Sequence, residues 1–317
     1  MQPAVHLDVE TAKTLIRSVD EGFAAVDVTS LGGGDNSAAF EVRSDDGRSV
    51  VIKTYADELH WKMQKELFAY ELLEATRPAV PLAHILGADD SKRLFDRNYL
   101  VMTKLEGTLL VSVLDRLDPE DLDTIDGEIG AALAAMHRVE LPAFGYLGQD
   151  GIGEPFATNA DYMRAQFTKK LDHFDRLGGD PDTSRVVRTY VDRRSALLDG
   201  CRTPVFCHDD CHEGNVLVGP GPDGWHVRGI VDLENAVAGD PLLDVAKTEA
   251  YKRRRSDRRL RALIAAYGPM RAAWRDALDL YTVYHWLELW DWFAAHDRRE
   301  PLASLVQSMR KVCDAAG

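Results

Sequence analysis

Three short apolar-polar segments open the chain. Ala24 to Leu31 alternates weakly, Ala38 to Arg43 follows as a strand, and Ser49 to Tyr55 returns as a β-branched strand after the Asp-Gly turn of Ser44 to Gly47. Before them, Asp8 caps a predicted helix with Val9, Ala12, Ile16 and Val19 on one face. From Glu58 to Ala75 the period becomes helical, with Leu59, Met63, Tyr70 and Leu73 in the stripe and Pro78 ending it. His84 to Gly87 and Tyr99 to Lys104 read as two further strands. The pattern breaks at Leu105-Glu106-Gly107, a hinge that divides an N-terminal lobe (1–104) from a C-terminal lobe (105–317). Beyond it the chain turns mainly helical. Asp118 and Pro119 open a helix whose face carries Leu122, Ile125, Ile129, Leu133 and Met136. Leu141 to Pro155 is loop, two helices span Asn159 to Leu177 and Thr183 to Leu198, and further helices fill Arg254 to Ala316. The expected class is α+β: a five-stranded antiparallel sheet with one main helix, then a larger helical lobe.

Polar residues interrupt this pattern where chemistry is expected. The stretch Cys207-His208-Asp209-Asp210-Cys211-His212-Glu213-Gly214-Asn215 lies between predicted strands, and the next hairpin ends at Asp232. Asp210, Asn215 and Asp232 therefore converge. Two acids and an amide suit a hard cation such as Mg²⁺, and a carboxylate there can take a proton from an attacking hydroxyl. Upstream, the glycine-rich turn Gly32-Gly33-Gly34-Asp35-Asn36-Ser37 lets backbone amides approach phosphate oxygens. It fits neither a Rossmann fingerprint nor a Walker loop. Lys53 shares a strand face with Val51 and Tyr55, and Glu66 is an acid inside the apolar stripe of the following helix, so each is the other's candidate partner.

The 317 residues exceed what one core usually holds, which fits two lobes. A net charge of −14 argues against nucleic-acid binding and favours cationic small molecules. No window is long and uncharged enough to span a bilayer, so a cytoplasmic protein is expected. Four scattered cysteines do not make a disulfide framework, and reduced thiols are expected.

With these parts in order, the chain resembles the aminoglycoside phosphotransferase and choline kinase-like family, which shares the protein-kinase-like fold. The resemblance rests on Gly32 to Gly34, Val51-Ile52-Lys53, Glu66, Val101 to Gly107, His208 to Asn215, and Ile230-Val231-Asp232 followed by Gly239-Asp240-Pro241 and Asp244. It implies ATP or GTP as co-substrate with Mg²⁺. Lys53 would hold the α and β phosphates and Glu66 would hold Lys53. Gly32, Gly33, Gly34, Asn36 and Ser37 would cover the triphosphate, and backbone groups of Met102, Thr103 and Leu105 would take the purine. Asp210 would act as base, and Asn215 and Asp232 would hold the metal. Asp240 and Asp244 would cap and brace the loop.

Two features depart from the family pattern. Asp209 stands where the family has glycine, and only a few residues separate Asp232 from Asp240, which leaves no room for an activation loop. A small-molecule kinase is favoured over a protein kinase. The expected acceptor is cationic and hydroxylated, such as an aminoglycoside or related basic antibiotic, with choline, homoserine or an amino sugar as the metabolic alternative. Candidate acceptor residues are Asp161, Asp172, Asp175, Glu234, Glu288 and Asp291, which lie among aromatics that accept cations. Two rivals remain at this stage: a metallohydrolase using His208, Asp210, His212 and Asp232, with Cys207 and Cys211 as zinc candidates, and a non-catalytic nucleotide-binding module.

Overall fold

The computed structural model describes residues 6–32 and 37–315. Asp8 caps helix α1 (Val9–Arg17) by accepting the Thr11 amide at 2.7 Å. The helix buries Ala12, Leu15 and Ile16, while Val9 and Val19 lie at the margin. Full burial of a Leu or Ile stabilises by about 2 kcal/mol, and Leu15 and Ile16 hold this face of the helix on the sheet. Strands β1 (Ala25–Gly32), β2 (Ser37–Ser44), β3 (Ser49–Tyr55), β4 (Ile85–Asp89) and β5 (Asn98–Thr103) form one antiparallel sheet ordered β1-β2-β3-β5-β4.

Helix α2 (His60–Thr76) starts later than its apolar stripe suggests, because Asp57–Leu59 first winds as a 3₁₀ turn. It ends where Arg77 takes a left-handed φ of 48°, immediately before Pro78. Its buried face carries Met63, Lys65, Glu66, Ala69, Tyr70 and Leu73.

At Gly107 the backbone has φ +118°, and a Cβ there would come within 2.9 Å of the Val218 carbonyl oxygen. Glycine is therefore required at the hinge. The chain continues through β6 (Thr108–Leu109), α3 (Leu110–Val113), α4 (Pro119–Met136), β7 (Gly145–Tyr146), α5 (Asn159–Arg176) and α6 (Pro181–Arg194). Next come β8 (Val205–Cys207), β9 (Val216–Gly221), β10 (Gly224–Ile230), β11 (Val237–Gly239), α7 (Leu242–Tyr251), α8 (Asp257–Tyr267), α9 (Trp274–Ala295) and α10 (Leu302–Ala315).

Two further boundaries differ from the apolar pattern. Strand β7 lies inside the segment expected to be all loop and pairs with β11. Helix α6 begins at Pro181, because Asp180 caps it through the Thr183 amide, and a 3₁₀ turn at Ser195–Gly200 replaces its expected last turn. One apolar core runs from Tyr55, Tyr70 and Leu100 through Leu133 and Phe206 to Trp286. A second joins α1 to β1, β2, β3 and β5. Among the described residues, no helix is long and apolar enough to cross a membrane.

Candidate active site

The loop between β8 and β9 is held from beneath by one buried carboxylate. Asp244, in the first turn of α7, accepts the amides of His208 at 2.8 Å and Asp209 at 2.6 Å, and its Oδ2 lies 2.9 Å from His137 Nε2. Burial opposes its charge, yet His137 and these donors hold it below the ordinary carboxylate range. Asp209 has φ +56°, a left-handed conformation that Asp tolerates better than most residues, so the family's glycine can be replaced there. Glu213 ties down the other side of the loop. It accepts from Arg259 at 2.9 Å, and Arg259 in turn pairs with buried Asp126 on α4. Asp240 accepts the Leu242 amide at 3.0 Å and binds Arg271 and Tyr281, each at 2.7 Å. It serves as both cap and brace.

This frame presents Asp210 in a fixed orientation. The Asn215 amide donates to its carbonyl at 3.0 Å and to its Oδ2 at 3.2 Å, and Asn235 donates to the same Oδ2 at 3.0 Å. Lys247 lies 3.4 Å from Oδ1 and 2.7 Å from Glu288. The histidines support the backbone. His208 Nε2 faces the Val231 carbonyl at 3.1 Å while its Nδ1 accepts the Asp210 amide at 3.2 Å. His212 Nδ1 accepts the Gly214 amide at 2.9 Å, and the ring stacks on Tyr251. Burial pushes the Cys207 and Cys211 thiols up, and Cys207 donates to the Asp240 carbonyl. Both ring nitrogens of His208 are therefore engaged within the site.

Facing the loop, Lys53 on β3 reaches Glu66 at 2.7 Å and Asp232 at 2.8 Å, with Glu234 at 3.6 Å. Tyr55 also donates to Glu66. Burial disfavours the Lys53 ammonium, but Asp232 and Glu66 together raise it well above its ordinary value. At Asp232 burial is likewise outweighed by Lys53, and the carboxyl is held below its usual range. An ionised Asp232 and the neutral oxygen of Asn215 are hard oxygen donors of the type Mg²⁺ takes, so their chemistry suits the ion.

The other expected residues fall into three groups. Gly32 ends β1 and Ser37 begins β2, whereas Gly33, Gly34 and Asn36 lie outside the described residues. Met102 and Thr103 end β5; the Thr103 amide donates to the His84 carbonyl at 2.9 Å, and the Leu105 carbonyl accepts from Lys104. Glu234 and Glu288 join the lysine and loop clusters, through Lys62 at 2.7 Å and Lys247 respectively. Asp291 is buried three residues beyond Glu288, with neither oxygen hydrogen-bonded. Asp172 and Asp175 instead both clamp Arg188 of α6, at 3.1 and 2.9 Å, and exposed Asp161 accepts from Thr158. Those three are not brought to the loop by any of these contacts. Sequence reasoning missed Tyr55, Asn235, Lys247, Arg259 and the anchoring role of Glu213. Only the alternation of β3, which puts Tyr55 on the Lys53 face, could have signalled one of them.

None of the curated proteins compared with the chain matches it. Among solved structures, aminoglycoside phosphotransferase APH(4)-Ia in the apo form of a thermostable mutant superposes with TM-score 0.73 at 19% identity, over 96% of this chain and 99% of the other. A proposed fructosamine-3-kinase of Thermobifida fusca superposes with TM-score 0.71 at 20% identity, over 96% of this chain and 100% of the other. A ternary complex of an APH(4)-Ia mutant with ADP and hygromycin B gives TM-score 0.73 at 17% identity, over 95% of this chain and 97% of the other. The shared fold is the two-lobed protein-kinase-like arrangement. The sequence profile of the phosphotransferase enzyme family matches residues 27–280. The chain therefore belongs to the phosphotransferase enzyme family and is a small-molecule phosphotransferase with an alcohol group as acceptor.

Proposed function

We propose that the protein transfers the γ-phosphoryl group of ATP, with GTP as the alternative donor, to a hydroxyl of a cationic small molecule, an aminoglycoside or related basic antibiotic being the leading acceptor class. The observation that carries this reading is Asp210. Its carboxylate is oriented by two amides on a loop braced by Asp244, opposite the Lys53, Glu66 and Asp232 cluster. Phosphoryl transfer asks a protein mainly to position and to stabilise charge, and this arrangement supplies both.

In this reading residues 1–104 carry the nucleotide and residues 105–317 carry the base and the acceptor. The backbone of Met102 to Leu105 takes the purine, and the turn from Gly32 through Gly33, Gly34 and Asn36 to Ser37 covers the triphosphate. Lys53, kept charged and aimed by Glu66, holds the α and β phosphates. Asn215 and Asp232 hold Mg²⁺, which when bound neutralises charge on the phosphate oxygens. Asp210 orients the acceptor hydroxyl and takes its proton as the oxygen attacks phosphorus. Buried carboxylate oxygens without hydrogen-bond partners, Oδ1 of Asp209 and both of Asp291, support a cationic acceptor, because an ammonium group would satisfy them.

The test is ADP release with mass detection of the product across basic antibiotics, choline, homoserine and amino sugars. Phosphorylation of a cationic acceptor is expected. Turnover confined to acceptors without an amine would refute the acceptor class, and chelator-sensitive hydrolysis that needs no nucleotide would refute phosphoryl transfer.

A further inference from the structure

Lys247, on α7, stands beside the base Asp210, yet the reaction proposed above gives its charge nothing to do. It is 4% exposed, and its ammonium lies 2.7 Å from Glu288 Oε2, 3.4 Å from Asp210 Oδ1 and 4.5 Å from the centre of the Tyr251 ring. Burial opposes the ammonium, but the carboxylates of Glu288 and Asp210 raise it well above the ordinary lysine value. Glu288, on α9, is itself held by Lys170 of α5 at 3.5 Å and by His285 Nδ1 at 3.2 Å. The arrangement repeats that of Lys53: each lysine is tethered at 2.7 Å by a glutamate of a neighbouring helix and reaches an aspartate of the site.

The two oxygens of Asp210 differ. Oδ2 accepts from Asn215 at 3.2 Å and from Asn235 at 3.0 Å, which leaves Oδ1 for the acceptor hydroxyl. Beside Oδ1 stand Lys247 at 3.4 Å and His212 Nε2 at 3.6 Å, both farther away than an ordinary hydrogen-bond partner. A hydroxyl bound to Oδ1 therefore shares that oxygen with the ammonium. A cation so placed works against the base, because it disfavours the neutral acid that Asp210 must become. Its charge helps the reaction only where another group gains negative charge close by in the transition state.

We infer that Lys247 is a catalytic residue that stabilises the phosphoryl group in transit, and that Glu288 is the positioning residue that aims it. This rests on the phosphotransfer reading above and adds a residue to it. The acceptor oxygen bonds to phosphorus as the bond from phosphorus to the β-phosphate oxygen breaks. The electron pair of the broken bond leaves with the nucleoside diphosphate, and the hydroxyl proton passes to Asp210 Oδ1. Asp210 is then neutral, and Lys247, which keeps its own proton, directs its charge to the oxygens of the transferring group.

Two measurements test this without an identified acceptor. One is ADP release from MgATP alone, with water in the acceptor's place. The other is binding of MgADP with and without aluminium fluoride, which mimics the phosphoryl group in transit. The unaltered protein should bind MgADP at least tenfold more tightly with aluminium fluoride than without it. Lys247→Met should bind MgADP within about twofold of the parent, which also reports its fold, and should lose the gain from aluminium fluoride. Its kcat for ADP release should fall by about 10²-fold at nearly unchanged KM for MgATP, and Lys247→Arg should recover at least tenfold of that. Glu288→Gln should lower kcat by about tenfold with the same unchanged KM, and it decides by the same split if Lys247→Met does not fold. A Lys247→Met protein that keeps both kcat and the gain from aluminium fluoride overturns the inference, as does one whose MgADP affinity falls as far as its kcat. Failure of the phosphotransfer reading shows instead in the unaltered protein, which would then neither release ADP from MgATP nor gain affinity from aluminium fluoride.

Discussion

Replacing Lys65 by methionine should stabilise the protein at neutral pH. The ordinary lysine value of 10.5 falls to about 8 in the fold because burial penalises the ammonium more than Asp209, Glu234 and Glu288 support it. A depression of that size corresponds to about 3 kcal/mol of lost preference for the charged form. Because the folded state binds the proton less tightly than the unfolded chain, the penalty is complete below pH 8 and fades as pH rises from 8 towards 10.5. Methionine has a similar length and no charge to desolvate, and it can pack on Tyr146. For a chain this long, about 3 kcal/mol corresponds to a rise in melting temperature of about 5 °C. Thermal melts of both proteins at pH 7, 8, 9 and 10 check this, with the gap expected to be widest at pH 7 and to shrink to about a quarter of that by pH 10. A variant that melts lower than the parent at pH 7 would show that the ammonium is paired, and a gap independent of pH would show a packing effect rather than a buried charge. Either result refutes the electrostatic reasoning.

Three other outcomes follow from the site. Glu66→Ala leaves Lys53 and Tyr55 without their shared acceptor, and should cost about 3 kcal/mol in denaturant unfolding and raise the KM for nucleotide at least tenfold. Asp244→Asn puts an amide donor where the carboxylate accepts the His208 and Asp209 amides and faces His137, so stability should fall by about 3 kcal/mol and kcat should fall with it. Burial, only partly offset by Lys170, raises the Asp291 carboxyl to about 7. It is protonated below that value and ionised above it, so affinity for an amine-bearing acceptor that meets Asp291 should strengthen from pH 6 to pH 8, and Asp291→Asn should flatten that profile.

Much of this arrangement is visible along the chain because it depends on local patterns. The hairpin at Asp45 to Gly47 places Lys53 on a strand, and an acid within an apolar helical stripe needs a buried cation, which is why Glu66 and Lys53 can be paired before their 2.7 Å contact is seen. The helix opening at Asp240-Pro241 follows in the same way from helix-start chemistry, while the bracing of the loop by Asp240 and Asp244 is what the family resemblance implies. The missing parts are long-range. Lys247 meets Asp210 and Glu288 only because α7 and α9 pack side by side behind the loop, and no spacing records that. Asp172 and Asp175 look like acceptor ligands among aromatics, yet their helix turns them towards Arg188 of α6. Lys65 stands outside the apolar stripe read from the sequence, and only the fold brings it to the Tyr146 ring.

The most direct test of phosphoryl transfer through Asp210 uses the unaltered protein and its Asp210→Asn variant. Both are incubated with MgATP and the acceptor panel, products are weighed by mass spectrometry, and nucleotide binding is measured in parallel. The unaltered protein should add one phosphoryl group to a hydroxyl of an amine-bearing acceptor. The variant should lose about 10³-fold in turnover while binding MgATP with nearly unchanged affinity. Turnover by Asp210→Asn close to that of the parent would contradict the assignment of the base and the mechanism built on it.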